Sequence, residues 1–289
     1  SAKVRNQGIE TTIGYNFRLA KDVNWRTSYN VSYNSNKILK TAYNDQGKEL
    51  IQQQVVGGTY IRYKEGGSIG DMYIHDFERD ANGNIALTKS GAPRFKSSGQ
   101  DADLIYVGNM NSKWQMGWSN NFNYKDFTLS FLINGRIGGK VISLTEAYLD
   151  QNGLSQRVAD ARLNAERNNI VATDYKNAPG MQLNDGSGRI VPVEAYYKAM
   201  GASTNPYNYI YNATNFRLRE LSLGYTFRNL LGQNKNLNVA FIARNLFFLY
   251  NDSPVDPDVS LSTANGLGAF ELFNMPSSRS FGLSLKLNF

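Results

Sequence analysis

Apolar and polar residues alternate along several long stretches of this chain. Between Ile9 and Leu19, the residues Ile9, Thr11, Ile13, Tyr15, Phe17 and Leu19 share one parity, and Glu10, Thr12, Gly14, Asn16 and Arg18 share the other. After Lys21-Asp22 the pattern resumes with Val23, Trp25, Thr27, Tyr29, Val31 and Tyr33. Side chains of a strand point to opposite faces with period 2, so each run is a strand with one apolar face, and the pair around a two-residue turn is a hairpin. A second hairpin runs from Lys113 through Trp114, Met116, Trp118, Phe122 and Tyr124, turns at Lys125-Asp126, and returns through Phe127, Leu129, Phe131, Ile133 and Ile137. A third joins Phe216–Phe227 to Leu237–Phe248. There Phe216 and Leu218 have the wrong parity for Leu221, Leu223, Tyr225 and Phe227, and a β-bulge near Arg219-Glu220 reconciles them. A last strand follows, with Phe281, Leu283, Leu285, Leu287 and Phe289 on one face.

The spacing between these runs matters as much as the runs themselves. Short turns join the strands of each pair, and long segments (35–111, 139–212 and 250–278) separate the pairs. Within the second segment, Leu154–Asn168 and Val193–Met200 read as helices. A run of about 12 residues is about 40 Å long, and tilted by about 45° it spans close to 30 Å, the thickness of a bilayer's hydrocarbon core. Strict alternation of short turns with long loops is the connectivity of an outer-membrane barrel. The expectation is an all-β fold of about seven antiparallel strands with long extracellular loops, residues 1–8 leading in from the outside. Barrels of this kind have even strand numbers, so about seven is a sector of a larger one.

Composition narrows this reading without reversing it. The chain has 289 residues and a mean hydropathy of -0.45. A barrel's strands average out to polar because lumen-facing residues alternate with lipid-facing ones. Cysteine is absent, which removes disulfides and thiolate metal sites. The net charge of +7 comes from scattered Lys and Arg, without the clustered basic patch that nucleic-acid binding requires. Ser1 leads at once into polar sequence, so the expectation is a mature product or a fragment of a longer protein.

Several motifs resemble the SusC/RagA-type TonB-dependent transporters. Phe216-Arg217-Leu218-Arg219-Glu220-Leu221-Ser222-Leu223-Gly224-Tyr225-Thr226-Phe227 is similar to a characteristic strand of that family. Ala243-Arg244-Asn245-Leu246-Phe247, Asp256-Pro257-Asp258-Val259-Ser260 and Pro276–Phe281 follow in the family's order. Asp103–Asn109, Asn121-Phe122, Tyr124–Phe127, Gly135-Arg136 and Gly138–Lys140 also fit, although Ser112 stands where the family usually has proline. The resemblance implies that residues 1–289 are the C-terminal portion of a 22-stranded transmembrane β-barrel of the Bacteroidetes outer membrane, the N-terminal plug and first strands lying outside this chain. It implies import of oligosaccharides or peptides with a SusD-like surface lipoprotein, energised by TonB-ExbB-ExbD, and neither enzymatic activity nor a cofactor. Partners would then be the rest of the barrel and plug, that lipoprotein and outer-membrane lipid, with no nucleic acid. A passive porin and a structural barrel in a larger assembly remain alternatives, as does a soluble all-β binding protein.

Candidate functional residues follow from strand position. Arg136, Arg217, Arg219, Glu220 and Arg244 are expected on the polar, lumen-facing or substrate-facing side. Trp25, Trp114 and Trp118 are expected in membrane girdles, with indole N–H groups toward headgroups. Asp80-Ala81-Asn82-Gly83-Asn84 hints at a calcium loop, but Ile85 and Gly91 occupy positions that need Gly and Glu, so a polar turn is expected. Asp256 and Asp258 form a metal pair or act as turn acceptors, the second being favoured. His75, the only histidine, is expected on a surface loop and cannot form a two-histidine zinc site.

Overall fold

The computed structural model describes residues 2–97, 101–202, 205–230, 232–233, 235–262 and 266–288. Seven strands form one antiparallel sheet: β1 (Lys3–Ala20), β2 (Val23–Lys40), β3 (Trp114–Tyr124), β4 (Phe127–Ile137), β5 (Asn215–Phe227), β6 (Asn236–Asn251) and β7 (Ser280–Asn288). Each pairs with its neighbour in chain order, so the sheet is a simple meander. The connections at 21–22, 125–126 and 228–235 lie at one end, and the long ones at the other. Lys125 and Asn229 take left-handed backbone conformations in their turns. Phe289 lies outside the described residues.

Register makes one apolar face continuous across all seven strands. Phe17 pairs with Trp25, Trp25 with Phe122, Phe122 with Leu129, Leu129 with Leu223, Leu223 with Phe241 and Phe241 with Leu283. Most of these side chains stay exposed: Ile9, Ile13, Leu223, Phe241, Leu283 and Leu285 all carry open apolar surface. A patch of this extent on one face requires an apolar medium or partner. Rings gather at two levels on it. Phe17, Trp25 and Phe122 stack in series near the short turns, with centroids 4.9 and 5.3 Å apart. Tyr33 and Trp114 meet at 4.7 Å near the other end. Trp25 and Tyr33 are eight positions apart on β2, about 26 Å along a strand.

Two sequence expectations change. The first two strands have 18 residues each, because Lys3–Gly8 is paired strand and not a lead-in. Val4 is the only large apolar residue of that part, so it carries no alternation to read. The long connections are also structured. They contain α1 (Leu144–Gln151), α2 (Gln156–Arg167), α3 (Val193–Met200) and several short strands. The two helices expected from sequence are α2 and α3, while α1 was not anticipated. Ser143 caps α1, accepting from the backbone N–H of Glu146 at 3.2 Å.

The three connections pack into one cap. Lys140–Ser143 pairs antiparallel with Ile210–Asn212 and parallel with Phe270–Glu271. Ile61, Met72, Ile142, Ala269 and Phe270 bring all three connections into one core. Phe77, Ile85, Leu183, Val191 and Met200 form a second core from the first two. Among the described residues, no helix is long and apolar enough to cross a membrane.

The bulge occurs where parity required it. Leu132 pairs with Glu220 and Ile133 with Leu218, leaving Arg219 as the extra residue of β5. On the other neighbouring strand, β6, Asn245 takes a left-handed conformation (φ 52°), and Arg219 Nη1 donates to Asn245 Oδ1 at 2.9 Å. Without this extra residue, Arg217 would project from the apolar face. Beyond the bulge, Phe216 lies over Gly135, where an added Cβ would fall 2.4 Å from the Phe216 ring. Gly135→Val in the complete protein is therefore expected to destabilise the folded sheet by about 1–3 kcal/mol. Adding Phe216→Ala should recover part of the loss. Thermal melting in detergent, read by heat-modifiable gel mobility, checks both.

Candidate functional site

The polar face carries the charged residues singled out from sequence, and the structure brings most of them together. Arg136 comes from the end of β4, and Arg217 and Arg219 from the bulged part of β5. All three reach the Asp256-Pro257-Asp258 turn of the last long connection. Arg217 Nη2 lies 2.6 Å from Asp256 Oδ2, with both side chains buried (4% and 8% exposed). Arg219 Nη2 lies 3.0 Å from Asp258 Oδ2, and Arg136 Nη2 lies 3.5 Å from Asp258 Oδ1. Arg136 also donates to the carbonyls of Ala213, at 3.2 Å, and Pro257. The Arg217 guanidinium stacks on the Phe248 ring, 3.9 Å from its centroid.

Asp256 and Asp258 are thus acceptors for arginine. Asp256 Oδ1 accepts the backbone N–H of Asp258 at 3.0 Å, and Oδ2 accepts the hydroxyl of Ser277. Burial pushes the Asp256 carboxyl up, but the bonds from Ser277 and Arg217 outweigh it and hold it below the usual carboxylate range. Sequence reasoning placed the arginines on the polar face but did not pair them with this turn. The available signal was two carboxylates flanking a proline in a chain with scattered, unassigned arginines.

The remaining candidates lie elsewhere. Arg244 pairs with Glu220 at 3.0 Å on the exposed surface, apart from the buried turn. Trp25 donates its indole N–H to Asn120 Oδ1 at 2.9 Å, and Trp118 donates to Thr27 Oγ1 at 2.9 Å. Both donors are turned toward a neighbouring strand, contrary to the expectation of outward-facing indoles. The reason is that Thr27 and Asn120, directly paired, are polar residues on the apolar face and offer nearby acceptors. Asp80 Oδ1 accepts the N–H groups of Asn82 and Asn84 at 2.9 and 3.0 Å, the polar turn expected. His75 is a half-buried strand residue, not a surface-loop one, with Nε2 2.8 Å from the Tyr60 hydroxyl. It sits there because Asp71–His75 is an inner strand of a small sheet in the cap.

Adjoining hollows run along the polar face. One, about 480 Å³, is lined by Asn6, Asn34, Asn36, Asn111, Gln115 and Arg136, among others. A second, about 280 Å³, includes Glu10, Asn30, Gln115 and Asn134. A third, about 190 Å³, joins Gln115 and Asn134 to Arg136, Arg217, Arg219 and Asp258. Gln115 borders all three. Carboxamides offer both donors and acceptors, so this surface can hydrogen-bond polar groups of either kind.

In the cap, the buried Asp150 accepts from the Tyr209 hydroxyl at 2.9 Å and pairs with Arg157 Nη1 at 3.3 Å. Burial, then Asp150, raise the Tyr209 hydroxyl well above its ordinary range. Glu271 accepts from Ser143 Oγ at 2.9 Å and Thr145 Oγ1 at 2.8 Å, tying the last connection to the start of α1. These groups fasten the cap.

A long amphipathic meander with short turns at one end, a loop-built cap at the other and a polar, amide-rich inner face defines part of an outer-membrane β-barrel. No family model matches the chain. Among curated proteins it is 25% identical over 300 residues to TonB-dependent receptor P39 of Formosa agariphila, covering 89% of this chain and 28% of that protein. It is 22% identical over 299 residues to TonB-dependent receptor SusC of Bacteroides thetaiotaomicron, covering 99% of this chain and 26% of that one. A solved structure of the RagAB peptide importer in its open-open state superposes over 100% of this chain and 29% of its own, with a TM-score of 0.66 at 18% identity. The chain is homologous to a segment of the SusC/RagA-type TonB-dependent receptors over most of its length. It spans between a quarter and a third of the relatives it matches. TonB-dependent receptors are outer-membrane β-barrels and transporters, not enzymes.

The buried clamp gives a direct prediction. Asp256→Asn leaves the Arg217 guanidinium buried beside a neutral group, at an expected cost of about 3–5 kcal/mol. Melting of the complete protein and proteolysis within 252–279 measure it. Because the folded carboxyl is depressed, its contribution is fully present above the unfolded value of about 3.9 and is lost as pH falls below it. Melting at pH 7 and at about pH 3.5 should therefore differ more for the native protein than for Asp256→Asn.

Proposed function

We propose that residues 1–289 form the C-terminal sector of a 22-stranded TonB-dependent importer, whose plug and first strands are supplied by the rest of a longer polypeptide. The continuous apolar face of the seven-strand meander, in a chain whose whole length superposes on part of the RagAB peptide importer, carries this reading. On it, the apolar face meets outer-membrane lipid, the short turns face the periplasm and the cap faces outward. Trp25 lies in the periplasmic aromatic girdle and Trp114 in the outer one, and Trp118 packs between them. Arg136, Arg217, Arg219, Glu220 and Arg244 face the lumen. Arg217 and Asp256 hold the last loop against its wall, and the exposed Glu220–Arg244 pair is open to solute.

The transported solute is an oligosaccharide or a peptide. The amide-lined hollows fit either class, and the superposed importer is a peptide importer. A SusD-like surface lipoprotein covers the barrel from outside, and TonB-ExbB-ExbD supplies the energy through the N-terminal part. The test is uptake of labelled peptides and oligosaccharides by cells carrying the complete gene, with and without the segment that contacts TonB. Uptake should require that segment, and a SusD-like lipoprotein should co-purify. Uptake that persists without the segment identifies a passive pore, and consistent absence of the lipoprotein removes the lidded-importer reading.

A further inference from the structure

We propose that the arginine cluster of the polar face is one carboxylate short and accepts a carboxylate from outside this chain. Three guanidiniums, of Arg136, Arg217 and Arg219, face two carboxylates, of Asp256 and Asp258. Another pair on the same face, Glu220 with Arg244, is closed on itself at 3.0 Å and adds no net charge. The cluster therefore retains one positive charge.

The deficit is concentrated at its most buried member. Arg217 uses Nη2 on Asp256, but Nε and Nη1 have no hydrogen-bond partner, and the side chain is only 4% exposed. Nη1 lies 3.7 Å from Asp258, too far for a hydrogen bond, and that carboxylate is shared with Arg219 and Arg136. A buried guanidinium with unmade bonds is costly, and a carboxylate is the acceptor that best matches both its open N–H groups and the cluster's uncompensated charge. The 190 Å³ hollow beside it has room for such a group; the amides of Gln115, Asn134 and Asn215 line it together with the three arginines and the already paired Asp258.

Two sources share this chemistry: a carboxylate on the transported solute, and one from another part of the same polypeptide. The first rests on the importer reading above. Asn134→Asp separates them, because it places a carboxylate in the hollow with almost no change of shape. The experiment uses the complete transporter purified in detergent. The probes are a short peptide with a free C-terminal carboxylate against its C-terminal amide, and a uronic-acid oligosaccharide against its neutral hexose counterpart. Binding is measured by calorimetry and stability by thermal melting.

If the solute supplies the group, the acidic member of a pair binds about tenfold tighter than its neutral counterpart. Asn134→Asp should then erase that difference while leaving the neutral probe unchanged. If the polypeptide supplies it, neither pair is discriminated, and Asn134→Asp lowers the melting temperature by repelling the resident carboxylate, whereas Asn134→Ala does not. If no pair is discriminated and Asn134→Asp leaves melting unchanged or raises it, the cluster takes no outside carboxylate and the proposal fails. Neither readout requires energised uptake, so a transporter that proved passive would leave this test intact.

Discussion

Every backbone N–H and C=O that crosses a bilayer must find its partner inside the protein, because lipid offers none. The architecture follows from that constraint. Helices satisfy it segment by segment, while strands satisfy it only through neighbours, so a sheet in lipid must close. Here β2 to β6 have a strand on each side, whereas β1 and β7 are paired on one side only among the described residues. All 18 residues of β1 are exposed, and β7 is exposed at all but one position. On the reading proposed above, strands supplied from elsewhere in a longer polypeptide pair with these two edges.

A second constraint acts at right angles to the first. Charge must stay off the apolar face, where an Arg at mid-bilayer costs about 2–4 kcal/mol. In β5 strict alternation conflicts with this, because Arg217 and Leu221 would share a face. The bulge at Arg219 resolves the conflict and puts Arg217 and Arg219 on the polar face, the face that also carries Arg136. Those side chains then capture the Asp256-Pro257-Asp258 turn and fix the loop that links the cap to the wall. A one-residue irregularity in a strand therefore positions a loop of the cap.

Much of this was readable in the residues. Lipid-facing strands advertise themselves by period, and the parity break between Leu218 and Leu221 located the bulge. The family resemblance was carried by motifs such as Phe216–Phe227. What escaped lacked a local signal. Lys3–Gly8 holds a single large apolar residue, Val4, so its pairing with β2 is visible only through register. The cap's cores join Ile61, Ile142 and Phe270 across more than 200 residues, and no spacing rule brings those together. The arginine clamp was half visible: side-chain parity placed the arginines, but only the fold of the last connection brought the acidic turn to them. The Trp25 and Trp118 donors found partners because Asn120 and Thr27 interrupt the apolar face, a detail that averages out of any hydropathy pattern.

The central claim is that this chain is one sector of a closed barrel and is not itself a complete fold in a membrane. Refolding the 289-residue chain alone into lipid vesicles, beside the complete polypeptide, tests it most directly. The account predicts that the complete polypeptide yields a heat-modifiable, protease-resistant monomer, whereas the isolated chain aggregates or stays protease-sensitive. Recovery of the isolated chain as a stable, heat-modifiable monomer in the membrane would contradict it.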